Sequence, residues 1–431
     1  MNKAFIFILT FILLPLLLQA QSQRYYVDQL ATGQNNGQSW TDAFGELHDA
    51  LALAEAGDEI WVAKGTYRPS ATGDRSARFQ LLSGVRLYGG FAGTELDLSE
   101  RDWTATPTVL DGNIGDPGDS TDNAYNLLYL YRPDSLTLVD GFTFRYALAN
   151  DALAPAGEAG SSGAALYIMA FDGEAYPLVQ NCVFEHNTAS RHGGAVYIEG
   201  GGSGSVAPVF KQCRFTANHA IQGNGGALYR NGGSWVDRPE DLKNCVFEGN
   251  SAYLQGGAVY FADSPRSDTF DLVHTVWENN RIVHEQITPY ILQSSGLQIT
   301  NLRINGATTL DIKNLQASKC NTGNGFILAG DITNFEASNL ILRIDTMLLY
   351  FTYAVSGELL GWAQTIVKNI TLISSSGIGV VSYAISAHSS FENITVKKPT
   401  PYLYFAASSE VVDFNKVVCF DHNNYFELRN A

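Results

Sequence analysis

The sequence predicts an all-β solenoid, a single-stranded parallel β-helix, because two short phrases recur along the chain at nearly constant spacing. The first reads Asn/Gln-Cys-x-Phe-x-x-Asn, and its aromatic residue recurs at steps of 31, 32 and 30 residues. Its copies lie at 181–187, 212–218 and 244–250, with a looser copy at 274–280. The second phrase, Gly-Gly-Ala-Val/Leu-Tyr, lies at 193–197, 225–229 and 256–260, with a looser copy at 163–167. A fixed period in this range is typical of solenoids and propellers.

The composition of each repeat favours strands over helices. Short runs alternate apolar and polar residues, are rich in Val, Phe and Tyr, and are punctuated by Gly and Asn. Residues such as Asn181 suit a one-residue bend in the left-handed region, and we expect them to form a ladder along the stack. Cys182 and Phe184 would then point inward. The phrase recurs downstream at variable steps, which the loops of a β-helix tolerate and a propeller does not.

The N-terminal part of the chain predicts a strand, a helix and the first coils. Residues 41–56 place apolar side chains at helical spacing, and Gly57 follows as a C-terminal cap. Since the open end of a β-helix would template aggregation, this helix is predicted to cap the first coil. We assign 24–100 to the cap and first coils, 101–284 to regular β-helix repeats, and 285–431 to less regular coils.

Residues 1–20 predict a secretory signal peptide. Lys3 precedes an almost unbroken apolar run that ends at Leu18, and Ala20 offers a small residue for cleavage before Gln21. A membrane anchor is the alternative, but polar sequence begins immediately after the run. No later segment of the sequence is long and apolar enough to span a bilayer. The sequence therefore predicts an exported protein.

Several phrases near the N-terminus carry a more specific signal. They are Tyr26-Val27-Asp28, Gly37-Gln38-Ser39-Trp40, the run from Gly57 to Tyr67, Tyr88-Gly89-Gly90-Phe91 and Arg101-Asp102-Trp103. This opening resembles that of secreted right-handed β-helix proteins of the pectin-lyase-like class from Bacteroidota. The central Gly-Gly-Ala and Phe-x-x-Asn phrases resemble the repeats of chlamydial polymorphic outer-membrane proteins. The resemblance implies a right-handed β-helix that is secreted or held at the cell surface of a Gram-negative bacterium, often as an adhesin.

Charge limits the partners of this chain. The formal net charge is −16, and charged residues make up only 16% of the sequence. Nucleic acid and anionic lipid surfaces are therefore poor partners. The predicted partners are a polysaccharide or surface glycan, or a surface protein of a host or neighbouring cell. Association with the outer membrane would have to occur without a transmembrane segment once the signal is removed.

Three of the five cysteines occupy equivalent repeat positions. Cys182, Cys213 and Cys245 should stack about 4.8 Å apart along the helix axis. Such a spacing permits a disulfide, but an inward column of small apolar side chains is the favoured interpretation. The spacing of these cysteines is unlike that of a zinc site.

A tyrosine ends each Gly-Gly-Ala phrase. The four residues are Tyr167, Tyr197, Tyr229 and Tyr260. Strand alternation places Val196, Leu228 and Val259 on the opposite side, so an inward aliphatic set implies outward tyrosines. An outward column would form an aromatic strip that binds a glycan or a protein, whereas an inward column would be core. Arg230, on the aliphatic side, weakens the outward interpretation.

An acidic, turn-rich loop spans 111–123. Its four aspartates, Asp111, Asp116, Asp119 and Asp122, supply the hard oxygen donors that calcium prefers. Their spacing matches no EF-hand, and a solvated acidic loop is the alternative. Calcium is the one cofactor that the sequence suggests.

A column of carboxylates bears on catalysis. Glu185, Glu248 and Glu278 recur once per coil, with Thr216 in the coil between the first two. Carboxylates two coils apart would lie at a distance that suits glycoside hydrolysis. Exposed turns commonly carry such charges without any catalytic role.

His186, Arg191 and His192 form a local basic cluster that would suit proton abstraction in a polysaccharide lyase. Neither this cluster nor the carboxylate column belongs to a recognised catalytic motif. Because the decoration of the coils is regular, we expect a non-catalytic scaffold that is adhesin-like or binds glycans. The alternative is a polysaccharide lyase or glycoside hydrolase of the pectin-lyase-like class.

Overall fold

The chain forms a single stack of parallel coils. The computed structural model describes residues 22–201, 205–232, 242–254 and 256–262, and in the rest of the chain the strands named below, with side chains as far as Tyr260. The predicted signal peptide lies outside the described residues. Each described coil adds one strand to each of three ladders, and neighbouring strands run parallel. This arrangement confirms the predicted parallel β-helix.

The three ladders form the walls of the helix. Sheet 1 has 13 strands: Arg24–Val27, Glu59–Ala63, Arg86–Phe91, Leu138–Asp140, Leu178–Gln180, Val209–Lys211, Leu242–Lys243, Thr269–Val273, Thr309–Lys313, Asn334–Ser338, Gln364–Lys368, His388–Glu392 and Val411–Asn415. Sheet 2 consists of Gly65–Tyr67, Thr108–Asp111, Phe142–Arg145, Val183–Glu185, Arg214–Thr216, Val246–Glu248, Val276–Glu278, Gln316–Ser318, Ile341–Thr352, Thr371–Ala384, Thr395–Lys397 and Val418–Phe420. Sheet 3 consists of Phe79–Leu81, Leu128–Tyr131, Leu166–Met169, Val196–Glu199, Leu228–Asn231, Val259–Ala262, Leu297–Arg303, Ile327–Asp331, Pro401–Ala407 and Tyr425–Asn430, and shares Ile341–Thr352 and Thr371–Ala384 with sheet 2.

Two smaller ladders lie in the connections. Between sheets 2 and 3, a five-stranded ladder is formed by Leu148–Ala149, Thr188–Ala189, His219–Ala220, Ser251–Ala252 and Arg281–Ile282. Between sheets 3 and 1, Glu174–Ala175 pairs with Ser205–Val206. The described 3-10 helices are Leu98–Glu100 and Ser120–Asp122. No helix of the described part of the chain has the length and apolar character needed to cross a membrane.

The N-terminal helix, α1, spans Leu47–Leu53 and is shorter than the predicted 41–56. The prediction overran because Phe44 is extended and forms a β-bridge with Val27. The amide of Phe44 donates to the Tyr26 carbonyl at 2.9 Å, so it is not free for a helical turn. Leu47 of α1 is fully buried in the same core as Val27. The helix therefore covers the first coil, as predicted for a cap.

The bends between sheets 1 and 2 adopt the predicted left-handed conformation. The φ angles of Asn181, Gln212 and Asn244 are 53°, 54° and 52°. At the bend, Asn181 Nδ2 donates to Asp140 Oδ1 at 2.8 Å. A ladder of stacked asparagines is formed by the residue that ends the first phrase. Asn187 Nδ2 donates to Asn218 Oδ1 at 3.1 Å, and Asn218 Nδ2 donates to Asn250 Oδ1 at 3.0 Å. These three residues are fully buried, where each amide also satisfies backbone groups of the neighbouring coils.

Inward columns of identical residues fill the core of the repeats. Phe144, Phe184, Phe215 and Phe247 stack with ring centroids 4.8, 4.7 and 4.6 Å apart. Cys182, Cys213 and Cys245 are buried and carry free thiols, which confirms the inward column over the disulfide. Burial raises the pKa of the Cys213 thiol, with a further contribution from the two thiols beside it. The proposed division of the chain at residues 100 and 284 stays a prediction.

Candidate functional site

The four tyrosines of the predicted strip lie outside the main core but are not exposed. With Tyr129 they form a separate column on the outer side of sheet 3, with ring centroids 5.6, 5.2, 5.2 and 5.4 Å apart. Their exposed fractions run from 0% at Tyr167 to 8% at Tyr260. The alternation argument therefore gave the right side of the sheet, but it did not reveal that the rings are covered. Ligand binding by these tyrosines stays a prediction.

The Gly-Gly-Ala phrase explains why the tyrosines are covered. Gly163 has a φ of 57°, and a Cβ there would lie 2.6 Å from Cβ of Tyr197. A Cβ on Gly194 would lie 2.1 Å from the carbonyl oxygen of Gly226 in the next coil. Only glycine lets the chain turn this closely against the base of a tyrosine side chain and a neighbouring coil. The repeated glycines are therefore required by packing.

A loop at residues 150–162 completes the cover over the first rings. The hydroxyl of Tyr167 donates to the Gly157 carbonyl at 2.7 Å, and Ala159 packs against the column. The Tyr197 hydroxyl donates to Glu199 Oε2 at 3.0 Å. Burial, and then the nearby Glu199 carboxylate, raises the pKa of both tyrosines. Their hydroxyls are thus neutral hydrogen-bond donors within the fold.

The predicted basic cluster is separated in the structure. His186 lies in an exposed turn and stacks on Tyr146 with centroids 5.7 Å apart, whereas His192 stacks on Tyr229 at 4.5 Å. Burial, with a contribution from Arg191, lowers the pKa of His192 to about 4. His192 Nδ1 accepts a hydrogen bond from the Asn224 amide at 3.2 Å. The two imidazoles have different packing partners, so they do not form one acid–base group.

The four aspartates of the predicted calcium loop do not converge. Asp111 Oδ2 accepts two hydrogen bonds from Arg145, at 2.9 and 2.8 Å. Asp119 caps the following turn, and Asp116 Oδ1 and Asp122 Oδ2 accept from backbone amides of the loop at 2.9 and 2.7 Å. Among the described residues, no three His, Cys, Asp or Glu side chains form a group that could hold a metal. Calcium binding by these four aspartates stays a prediction.

The carboxylate column on the outer face of sheet 2 is interrupted by Arg145 and Thr216. In register along this column lie Asp111, Arg145, Glu185, Thr216, Glu248 and Glu278. Arg214 on the neighbouring column reaches Glu248 at 3.0 Å, and both side chains are exposed. The register that the sequence predicted is confirmed. Arg145 lies between Asp111 and Glu185 in this register, and Arg214 pairs with Glu248, so basic residues are placed among the carboxylates.

A second set of charged residues, missed from the sequence, shares one register position on sheet 1. Asp271, Asp311 and Glu336 lie opposite one another on three successive strands. The next register position, at Leu272, is in line with the buried Leu242 of the preceding strand. Lys313 lies two residues beyond Asp311. The carboxylates are 40 and 25 residues apart in the sequence, which departs from the constant period of the repeats. Only the strand pairing brings them together.

Two stretches of the chain are similar to a known family of repeats. The model of the Chlamydia polymorphic membrane protein repeat matches residues 181–199 and 244–262. Both matches run from the left-handed bend through the tyrosine column, which are the parts of the coil described above. The comparison with curated proteins finds no match.

The comparison with solved structures gives one alignment that spans most of the chain. The crystal structure of the pectate lyase Pel9A aligns with a TM-score of 0.36 and 15% sequence identity. The alignment covers 90% of this chain and 78% of that chain.

Proposed function

We propose that this chain is a non-catalytic β-helix scaffold, secreted or held at the cell surface, that binds a surface glycan or a surface protein. The observation that supports this proposal is the arrangement of residues on the outer face of sheet 2. Arg214 and Glu248 are exposed on this face, and the half-buried Val183 and Val246 lie in register with Arg214, on the strands to either side of it. Such a regular row of rungs, about 4.8 Å apart, suits an extended ligand better than a small substrate.

The use of the polar groups in the described coils supports a scaffold. The buried asparagines join neighbouring coils, and the tyrosines are enclosed by glycine turns. Arg101 is paired with Asp140, and Arg145 with Asp111, so these charges serve the stacking of the coils. A catalytic acid or base would instead need a group held free for substrate in a cleft.

Binding of the mature chain to an array of glycans and to intact cells tests the proposal. The Arg214→Glu variant should lose most of the binding because it reverses a charge on the sheet 2 face. Lys64→Glu makes the same charge change at an exposed residue of the N-terminal coils, outside that face, and should bind normally. Equal binding by both variants, or no binding by the native chain, would reject the sheet 2 face as the binding surface.

A polysaccharide lyase or glycoside hydrolase is the second candidate, and the charged register on sheet 1 favours it. Asp271, Asp311 and Glu336 with Lys313 supply the residue types that acid–base cleavage of a polysaccharide uses. Incubation with polysaccharides, with unsaturated and reducing ends measured as products, tests this activity. An enzymatic function would be supported if product forms, if Lys313→Ala abolishes it and if Lys397→Ala leaves it unchanged. The scaffold proposal would then be wrong.

A further inference from the structure

The acidic loop is closed at a neck beside sheet 2. The Ala124 amide donates to the Gly112 carbonyl at 2.8 Å, so the residues flanking this pair, Asn113 and Asn123, are brought side by side. A Cβ on Gly112 would lie 2.5 Å from the carbonyl oxygen of Tyr146, which also accepts from Asn123 Nδ2 at 2.5 Å. The two asparagines therefore flank one backbone hydrogen bond, and Asn123 is held there by Tyr146.

Three buried acceptor oxygens lie in this loop without a hydrogen-bond donor among the described residues. They are Asn113 Oδ1, Asp122 Oδ1 and Asn123 Oδ1. Asn123 is only 4% exposed, and Asp122 directly precedes it in the chain. Buried acceptors are normally satisfied, so three of them in one loop indicate a bound partner, a hydrogen-bond donor or a cation, that the described residues do not supply.

The orientation of these groups is determined by their other contacts. If the Asn123 amide were flipped, its oxygen would face the Tyr146 carbonyl, so Nδ2 is the atom that donates there. Asp122 Oδ2 is occupied by the Asp116 amide at 2.7 Å, which leaves Oδ1 for another ligand. The remaining acceptor, Asn113 Oδ1, lies beside a backbone amide that already donates to Asp111 at 2.9 Å.

We propose that Asn113 Oδ1, Asp122 Oδ1 and Asn123 Oδ1 form a calcium site at the neck of this loop. Calcium takes amide and carboxylate oxygens in irregular arrangements, whereas magnesium demands a near-octahedral set. The site differs from the four-aspartate site that the sequence predicted. Asp122 is its only carboxylate, because Asp111 is occupied by Arg145.

The charges around the site determine its affinity for calcium. Arg68 and Arg75 donate to the main-chain carbonyls of Asn113 and Asn123, at 2.7 and 2.6 Å, and so do not occupy the three side-chain oxygens. Their positive charge and the single carboxylate place the site in the weak class of extracellular calcium modules, with a dissociation constant of about 10⁻⁴–10⁻³ M. Occupation would hold the loop against the second and third coils.

Calorimetric titration of the mature chain with calcium, with magnesium as a parallel titrant, tests the proposal. We expect one saturable calcium site, and a loss of affinity of at least about tenfold in Asp122→Asn, since ligand charge governs affinity. Asp122→Asn preserves the shape of the side chain, and circular dichroism would verify that the variant is folded. Asp119→Asn is the matched control, because it removes one charge from the same loop but its Oδ1 already caps Thr121.

Cleavage by an Asp-specific endoprotease before Asp116 or Asp119 provides a second measurement. Calcium should slow this cleavage at least about fivefold in the native chain, because a ligand bound to the folded loop suppresses its opening. Three results would overturn the site: no saturable binding up to about 10 mM calcium, equal affinity for magnesium, or equal weakening in both variants. None of these measurements depends on glycan binding or catalysis.

Discussion

The N-terminal coils and the repeat coils are held together in different ways. Before residue 149, the outer side of sheet 1 carries contacts that occur once, such as the stack of Trp61 on Phe91 at 4.5 Å and the buried pair of Arg101 with Asp140. From residue 178 to 260, the same contacts recur in every coil. There the phenylalanine, cysteine and asparagine columns each join one coil to the next.

This difference determines where the molecule is sensitive to substitution. In a solenoid each coil contacts only its neighbours, so stability is roughly a sum over coils and interfaces. A change in a repeated column affects one interface of several similar ones. A change in a contact that occurs once has no equivalent elsewhere in the described chain. The following variants compare the two regions, from the largest expected effect to the smallest.

The largest loss is expected from Arg101→Met. It leaves Asp140 buried without its charged partner, which typically costs about 3–5 kcal/mol of the free energy of unfolding. Urea denaturation followed by circular dichroism measures the loss. Arg214→Met is the control in the repeat region, where the pair with Glu248 is exposed and contributes at most about 1 kcal/mol. Similar losses in both variants would remove the contrast between the regions.

Asn218→Ala interrupts the buried asparagine ladder. The Asn187 amides lose their acceptor and the Phe184 carbonyl loses a donor at 2.9 Å, and each unsatisfied group costs about 1–3 kcal/mol. We expect a lower urea midpoint. The control is Thr216→Val at the end of the preceding strand, because its buried hydroxyl oxygen has no hydrogen-bond partner among the described residues. A loss in Thr216→Val as large as in Asn218→Ala would show that the ladder is not what stabilises the coil.

Gly225→Ala and Gly249→Ala separate backbone strain from close packing. Both glycines have positive φ, 67° and 63°, so both alanines carry left-handed strain of about 1–2 kcal/mol. A Cβ at Gly225 would lie 2.3 Å from the Leu228 carbonyl oxygen, whereas Gly249 has open space. We expect Gly225→Ala to cost a further 1–3 kcal/mol, roughly, in thermal or urea denaturation. Equal losses would mean that the turn adapts and that packing does not require the repeated glycine.

His192 makes the repeat region sensitive to acid. Its pKa is lowered to about 4, mainly by burial, whereas the unfolded chain titrates near the usual 6.5. Between these values the unfolded state binds more protons, so stability is lost as the pH falls from about 6.5 to 4, by at most about 3 kcal/mol. His192→Gln should flatten this part of the stability profile. A stability profile that stays as steep between pH 6.5 and 4 in His192→Gln as in the native chain would contradict the assignment.

Part of the candidate site could be read from the sequence because it depends on period and alternation alone. The inward position of Cys182 and Phe184, the left-handed bend at Asn181 and the shared register of Glu185 and Glu248 all follow from a repeat in which strands stack. The N-terminal helix was predicted too long. Apolar spacing continued through Phe44, but the backbone of that residue pairs with Tyr26.

The other features of the candidate site could not be predicted from the sequence, because they depend on which parts of the fold cover each residue. Tyr197 lies on the outer side of sheet 3, yet a glycine turn and the loop at 150–162 enclose it. Asp311 and Glu336 become neighbours only through strand pairing, since loops of unequal length separate them in the sequence. The acidic loop at 111–123 holds three buried oxygens without a donor among the described residues, of which only that of Asp122 belongs to an aspartate.

The amino-acid sequence alone determined that this chain stacks parallel coils, because a fixed period and a period-two alternation leave few other ways to bury its apolar residues. It also determined which residues bend the chain. Only the tertiary structure decided which outward residues are accessible and which polar groups already have partners. Accessibility and hydrogen bonding depend on contacts between coils, and the lengths of the loops between them follow no repeat.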